Sequence, residues 1–141
     1  MKPVFRPTIF VTFLATVLVT AQSFAGETEN QAVEVAEKWL DLVDRGAYEE
    51  SWKQAASLFR SAVTVEQWQQ AMNAARTPLG ELERRKLKGA KYVASLFGAP
   101  DGAHVVIRFD ASFANKKEAV ETVTPMRDED GAWRVSGYYI K

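Results

Sequence analysis

Side chains able to do acid–base chemistry are scattered through this sequence, and few fall where a pocket could enclose them. His104 is the only histidine, so any Ser/His/Asp arrangement would have to be built on it. It lies beside the turn Asp101-Gly102, on the polar-facing register of its strand, and is expected to be an exposed turn residue. Glu121 and Tyr139 are the one pairing that fits proton transfer of the isomerase or lyase kind, which needs a carboxylate, imidazole or phenol in an apolar cavity. Tyr139 shares a strand face with Trp133. Glu121 joins it only if Ala119, Glu121 and Val123 turn toward the core. Asp110 shares the face of Arg108 and is expected to be half of a surface ion pair.

Metal and phosphate chemistry find less support. Asp128-x-Asp130-Gly131 has the opening of a calcium loop but lacks its further oxygen ligands and the glutamate at position 12, so a hairpin turn is expected. There is no cysteine, which excludes thiolate metal sites, thiol catalysis and disulfides. No glycine-rich phosphate loop or metal-ligand spacing occurs, and neither a metal nor a cofactor is expected. The cationic run Arg84, Arg85, Lys86, Lys88 and Lys91 is expected to defend a solvated edge strand, and Glu81 and Glu83 beside it dilute any phosphate-binding signal.

These residues are positioned by two kinds of pattern. From Thr28 to Ala75 apolar residues recur at helical spacing. Ala32, Ala36, Trp39 and Val43 line a first helix that opens at a Thr28–Gln31 capping box and ends at Arg45-Gly46. Tyr48, Trp52, Ala55 and Phe59 line a second. Val65, Trp68, Met72 and Ala75 line a third, capped by Thr64 with Gln67 and stopped by Pro78 and Gly80. Trp39, Trp52 and Trp68, with Trp133 and Tyr139, are the candidate lining of any pocket. For the tryptophans, core packing is the simpler role.

After Gly80 the period becomes two. Leu82 to Phe97 is a long strand with a bulge or bend at Gly89. Next, Val105, Ile107, Phe109, Ala111 and Phe113 face the core, against Val106, Arg108, Asp110 and Ser112. Ala119 to Arg127 forms a third strand of undecided facing. In the last, Trp133, Val135, Gly137 and Tyr139 oppose Arg134, Ser136, Tyr138 and Ile140. Helices at about 29–76 followed by a four-stranded antiparallel sheet at about 81–141, with no βαβ alternation, predict one α+β domain.

The 141 residues suit a single core, and the apolar (47%) and charged (26%) fractions are those of a globular protein. Met1 to Ala25 has the form of a signal peptide. Lys2 and Arg6 precede the apolar stretch Ile9 to Ala21, and Ser23-Phe24-Ala25 offers a cleavage site. That stretch falls short of the ~20 residues a spanning helix needs. The expected domain is 26–141, exported to the periplasm or beyond, with no stable membrane anchor after cleavage. The mature chain would be slightly acidic, which gives no reason to expect nucleic acid as a partner.

The ending VTPMRDEDGAWRVSGYYIK, with SFANKKEAVET and AEKWLDLVDRGAYEESW upstream, resembles a bacterial family, domain of unknown function 4019, over nearly all of the mature chain. More broadly, helices followed by a curved sheet ending in an acidic turn and Gly-x-Trp-Arg-Val resemble the nuclear transport factor 2-like, or cystatin-like, superfamily. That resemblance implies N-terminal helices over a cone-shaped pocket and no particular chemistry, because the superfamily holds isomerases, dehydratases and non-enzymatic binding modules. The leading expectation is an exported, non-catalytic domain that binds a small ligand or a protein. The alternatives are an isomerase or lyase using Tyr139 with Glu121, and a homodimer joined through the outer sheet face at Val106, Tyr138 and Ile140.

Overall fold

The computed structural model describes residues 22–141, with side chains from residue 26 onward; residues 1–21 of the expected leader lie outside the described residues. Helix α1 (Gln22–Asp44) buries Ala32, Ala36, Trp39, Leu40 and Val43 along one stripe, as the spacing predicts. Thr28 sits inside this helix and is not its N-cap. Gly46, at φ 72°, closes the far end: its N–H reaches Val43 O at 3.0 Å, and Ala47 N–H reaches Leu42 O at 2.9 Å. This left-handed cap favours a residue without Cβ.

The expected second helix is two short ones, α2 (Tyr48–Lys53) and α3 (Ser57–Ala62). The break falls where Ala55 and Ala56 are wholly buried and Ala56 N–H donates to Val135 O of the sheet at 2.8 Å. A helical Ala56 would spend that donor within the helix, so the tie to the sheet divides the segment. Helix α4 (Val65–Arg76) starts on the expected capping box. Gln67 N–H donates to the Thr64 hydroxyl (3.2 Å), and Thr64 N–H donates to the Gln67 side chain (2.9 Å). A 3-10 turn (Thr77–Leu79) leads into the sheet.

Strands β1 (Leu82–Val93), β2 (His104–Phe113), β3 (Lys116–Arg127) and β4 (Trp133–Ile140) form one antiparallel sheet in sequence order, giving the α+β class. β2 keeps the predicted alternation, with Val105, Ile107, Phe109, Ala111 and Phe113 buried. The undecided β3 is fixed by its register: Ala119, Glu121 and Val123 lie opposite Ala111, Phe109 and Ile107 and so face the core.

Two irregularities move side chains across the sheet. In β1 the ladder slips between Leu82 and Arg84 and again between Leu87 and Gly89, the second at the predicted bend. In β4 Thr124 pairs with Gly137 and Pro125 with Val135, so Ser136 is an extra residue. Proline has no N–H for the ladder, and the Ser136 hydroxyl donates instead to Thr124 O at 2.8 Å. The alternation therefore reverses at Ser136. Trp133 and Val135 face the core as expected. Beyond the bulge, however, Tyr138 faces inward opposite Val123, while Tyr139 faces outward opposite Thr122 and is half exposed.

Candidate functional site

The inner side chains of these elements meet in a buried polar cluster at one end of the helix–sheet interface. Asp44 arrives as the last residue of α1 and Arg76 as the last residue of α4. Arg85 reaches in from β1 because the bulge around Glu83 turns it opposite Ala111. Glu121 comes from the middle of β3, fully buried, and Tyr138 from β4 beyond the Ser136 bulge. Arg85 is the hub. Its Nε and Nη2 donate to the two Glu121 oxygens at 2.7 and 3.1 Å, and its Nη1 and Nη2 to the two Asp44 oxygens at 2.7 and 2.9 Å. Arg76 Nη2 donates to Asp44 Oδ1 at 2.7 Å, and the Tyr138 hydroxyl donates to Glu121 Oε2 at 2.5 Å.

Two guanidiniums thus balance two carboxylates. Burial by itself would raise the Asp44 pKa, but the hydrogen bonds from Arg85 and Arg76 outweigh it and hold the group below its ordinary value of 3.8. The Tyr138 phenol is pushed well above its ordinary 10.0, first by burial and then by the Glu121 charge beside it. Burial disfavours the charge on Arg85, yet its bonds to Asp44 and Glu121 raise its pKa overall. Every carboxylate oxygen in the cluster accepts at least one hydrogen bond. Asp44 Oδ2 and Glu121 Oε1 accept one bond each, both from Arg85, so each carboxylate is engaged through both of its oxygens. Arg76 Nε is the cluster's buried atom without a partner, and the guanidinium lies 4.9 Å from the Phe113 ring centroid.

Among the described residues, aromatic rings pack beside the cluster. Trp39 and Trp68 meet at 5.8 Å between ring centroids, tilted by 37°, Tyr138 meets Trp39 edge-on at 5.5 Å and Phe59 meets Trp68 edge-on at 5.0 Å. Both indoles are anchored on buried Ser51. Trp39 Nε1 donates to its carbonyl at 2.8 Å and Trp68 Nε1 to its hydroxyl at 2.9 Å. Trp52 is partly buried, donating to Val63 O at 2.7 Å. Trp133 is buried, with Arg127 over its ring at 5.0 Å and its indole N–H without a partner. What opens near these groups is shallow: a cleft of about 310 Å3 touching Asp44 and Arg76, and one of about 420 Å3 bordered by Trp39 and Trp133.

Several sequence expectations are thereby revised. Tyr139 is not near Glu121; its neighbour Tyr138 takes that place. Arg85 is not part of a solvated edge, although Arg84, Lys86, Lys88 and Lys91 are exposed. His104 is not exposed. The loop before it folds over, Nε2 lies 3.0 Å from Pro100 O, and the residue is fully buried. Asp110, by contrast, is half of a surface ion pair as expected, with Lys88 at 3.6 Å. Asp128 and Asp130 form the expected turn and bind Arg134. Asp128 also reaches across to the start of α3, accepting from Ser57 N–H at 3.0 Å and from the Ser57 hydroxyl. The apolar outer patch of Val106, Tyr138 and Ile140 does not form, because Tyr138 is inside and Ile140 packs on the Ala111–Phe113–Ala119 cluster.

Asp44, Arg76, Tyr138 and Ser51 are hydrogen-bonding nodes of the interior that periodicity did not single out. For Tyr138 the signal was Pro125 on the facing strand, which marks a bulge. The chain matches, over residues 35–138, the family described as Protein of unknown function (DUF4019). Searches of curated proteins and of solved structures found no match.

Proposed function

The chain belongs to that family, and we propose that it is an exported, non-catalytic binding domain built on a nuclear transport factor 2-like, or cystatin-like, scaffold. The observation that carries this reading is the filled interior. The space between helices and sheet is occupied by Trp39, Trp68 and Phe59, and Asp44, Arg85, Glu121 and Tyr138 are hydrogen-bonded among themselves. Helices laid over one face of a four-stranded antiparallel sheet with bulged strands support the scaffold. The Lys2/Arg6, Ile9–Ala21 and Ser23-Phe24-Ala25 pattern supports export. Binding then falls to the surface, where a small ligand or a protein would dock.

One contact favours the rival, an isomerase or lyase: Tyr138 and Glu121 stand 2.5 Å apart, as a proton-transfer pair would. Titrating the isotope-labelled protein with small phenols and aromatic carboxylates, followed by NMR, separates the two. The binding-domain reading expects the Trp39, Trp68 and Tyr138 signals to stay in place. Saturable shifts centred on Tyr138 and the Glu121 carboxyl would establish an interior ligand site and contradict it.

A further inference from the structure

We propose that the outer face of the sheet binds an acidic polysaccharide, whose anionic groups meet a set of cations that the fold leaves without partners. This names the partner of the binding domain proposed above and rests on that reading. The helices cover one face of the sheet. On the other, the loop between β1 and β2 folds over the His104 end, where Pro100 O meets the ring. The register sets Arg84, Lys86 and Lys91 of β1 on this face, opposite Ser112, Asp110 and Val106. Arg108 of β2 shares it, in one row with Thr122 and Tyr139. Most of the carboxylates nearby are taken. Asp110 is held by Lys88 at 3.6 Å and Glu83, at the β1 bulge, by Lys117 at 2.8 Å, which leaves Glu118. Arg84, Lys86, Lys91 and Arg108 are exposed and pair with no carboxylate among the described residues.

At the end of this face away from His104 lies a cleft of about 570 Å3, walled by Arg84, Lys86 and Lys141 with Glu118 and Val120. Lys117 and Asp110 also border it, but they are spent on Glu83 and Lys88. A concave surface with one sign of charge in excess concentrates ions of the other. Edge defence would explain the cations of β1. It does not explain Arg108, which stands on an inner strand, or Lys141, which follows β4 on the far side of the sheet. The rest of the face selects among polyanions. A folded acidic protein would need an apolar centre to dock on, and the valines here, Val106 and Val120, are half-buried between polar and charged neighbours. A nucleic acid strand would stack its bases on several rings, and the large ring exposed on this face is Tyr139 alone among the described residues. A lipid surface would take up apolar side chains, but Leu87 and Tyr92 belong to the other face, opposite Phe109 and Val105. An extended acidic sugar chain needs only spaced cations and polar groups beside them, such as the hydroxyls of Thr124 and Tyr139.

The test is calorimetric titration of the exported protein with polygalacturonate at low and high salt, with dextran as the uncharged control. Saturable binding is expected with polygalacturonate and not with dextran, and it should weaken as salt rises. Lys86→Glu/Arg108→Glu should weaken it about tenfold or more at low salt and make its salt dependence shallower, because fewer counter-ions are exchanged. Lys38→Glu/Arg60→Glu makes the same change in net charge on the helical side and should bind like the parent. All four positions are exposed, so circular dichroism should be unchanged. Absence of binding at low salt, or an equal loss in the two double variants, overturns the proposal. Tighter binding to a single-stranded oligonucleotide of equal charge, or to phosphatidylglycerol vesicles, overturns it in favour of a nucleic acid or a membrane. Failure here leaves the NMR titration of the interior untouched, so the two readings are judged separately.

Discussion

Arg85 is the residue on which the buried cluster depends. It supplies hydrogen bonds to both carboxylates, and Glu121 is wholly buried. Removing one member of a buried charge set leaves the others uncompensated, which typically costs about 3–5 kcal/mol. Arg85→Met should therefore lower the denaturant midpoint sharply. Adding Glu121→Gln should recover part of the loss, because one stranded charge is then gone; a double variant less stable than the single would refute this assignment. The same cluster marks where sequence reasoning reached and where it stopped. Glu121 was legible as a core-facing candidate, conditional on one strand's facing. Its partner was misplaced by one residue, because period-two counting runs through Ser136 as if no bulge were there. Arg85 was hidden for the same reason, its phase shifted by the bulge around Glu83 within a run of solvated cations.

At the scale of elements, the cluster ties the C-terminal ends of α1 and α4 to β1, β3 and β4. Asp44 is the tie from the helix layer, held by Arg76 and Arg85 from two other elements. Asp44→Asn keeps the shape and removes the charge. It should speed amide hydrogen exchange in the last turn of α1 more than in its middle, where Ala32 and Ala36 remain buried. Uniform protection along α1 in the variant would show that packing alone holds that end. Helix existence was legible from apolar spacing, and the capping box at Thr64 from its side chains alone. The division of α2 from α3 was not, because its cause is a hydrogen bond from Ala56 to Val135, seventy-nine residues on. The acidic turn hid a similar long-range role: Asp128 caps α3, which lies far away in sequence.

For the whole molecule, charge is unevenly laid out. Residues 27–79 carry more carboxylates than cations, and residues 80–141 more cations than carboxylates, so the neutral total conceals an acidic helical half and a basic sheet half. Stability should be lost at both ends of the pH scale, with different groups responsible. Asp44 has a lowered pKa in the fold, so its contribution is present above the ordinary 3.8 and disappears as pH falls through the folded value below that. Tyr138 has a raised pKa, so its contribution is intact below 10.0 and is lost as pH rises beyond it toward the folded value. Thermal melts across pH should show Asp44→Asn with a shallower acid decline than the parent and Tyr138→Phe with a shallower alkaline one.

The claim that the interior is a closed lock rather than an acid–base site is tested most directly by following the Tyr138 ring carbon bonded to oxygen by NMR as pH is raised. A phenol that serves catalysis is drawn toward neutrality, whereas one sealed against Glu121 keeps its proton. The signal should stay in its protonated position well past 10.0, the value at which an ordinary tyrosine ionises. Ionisation of Tyr138 below that value, toward neutral pH, would contradict the account.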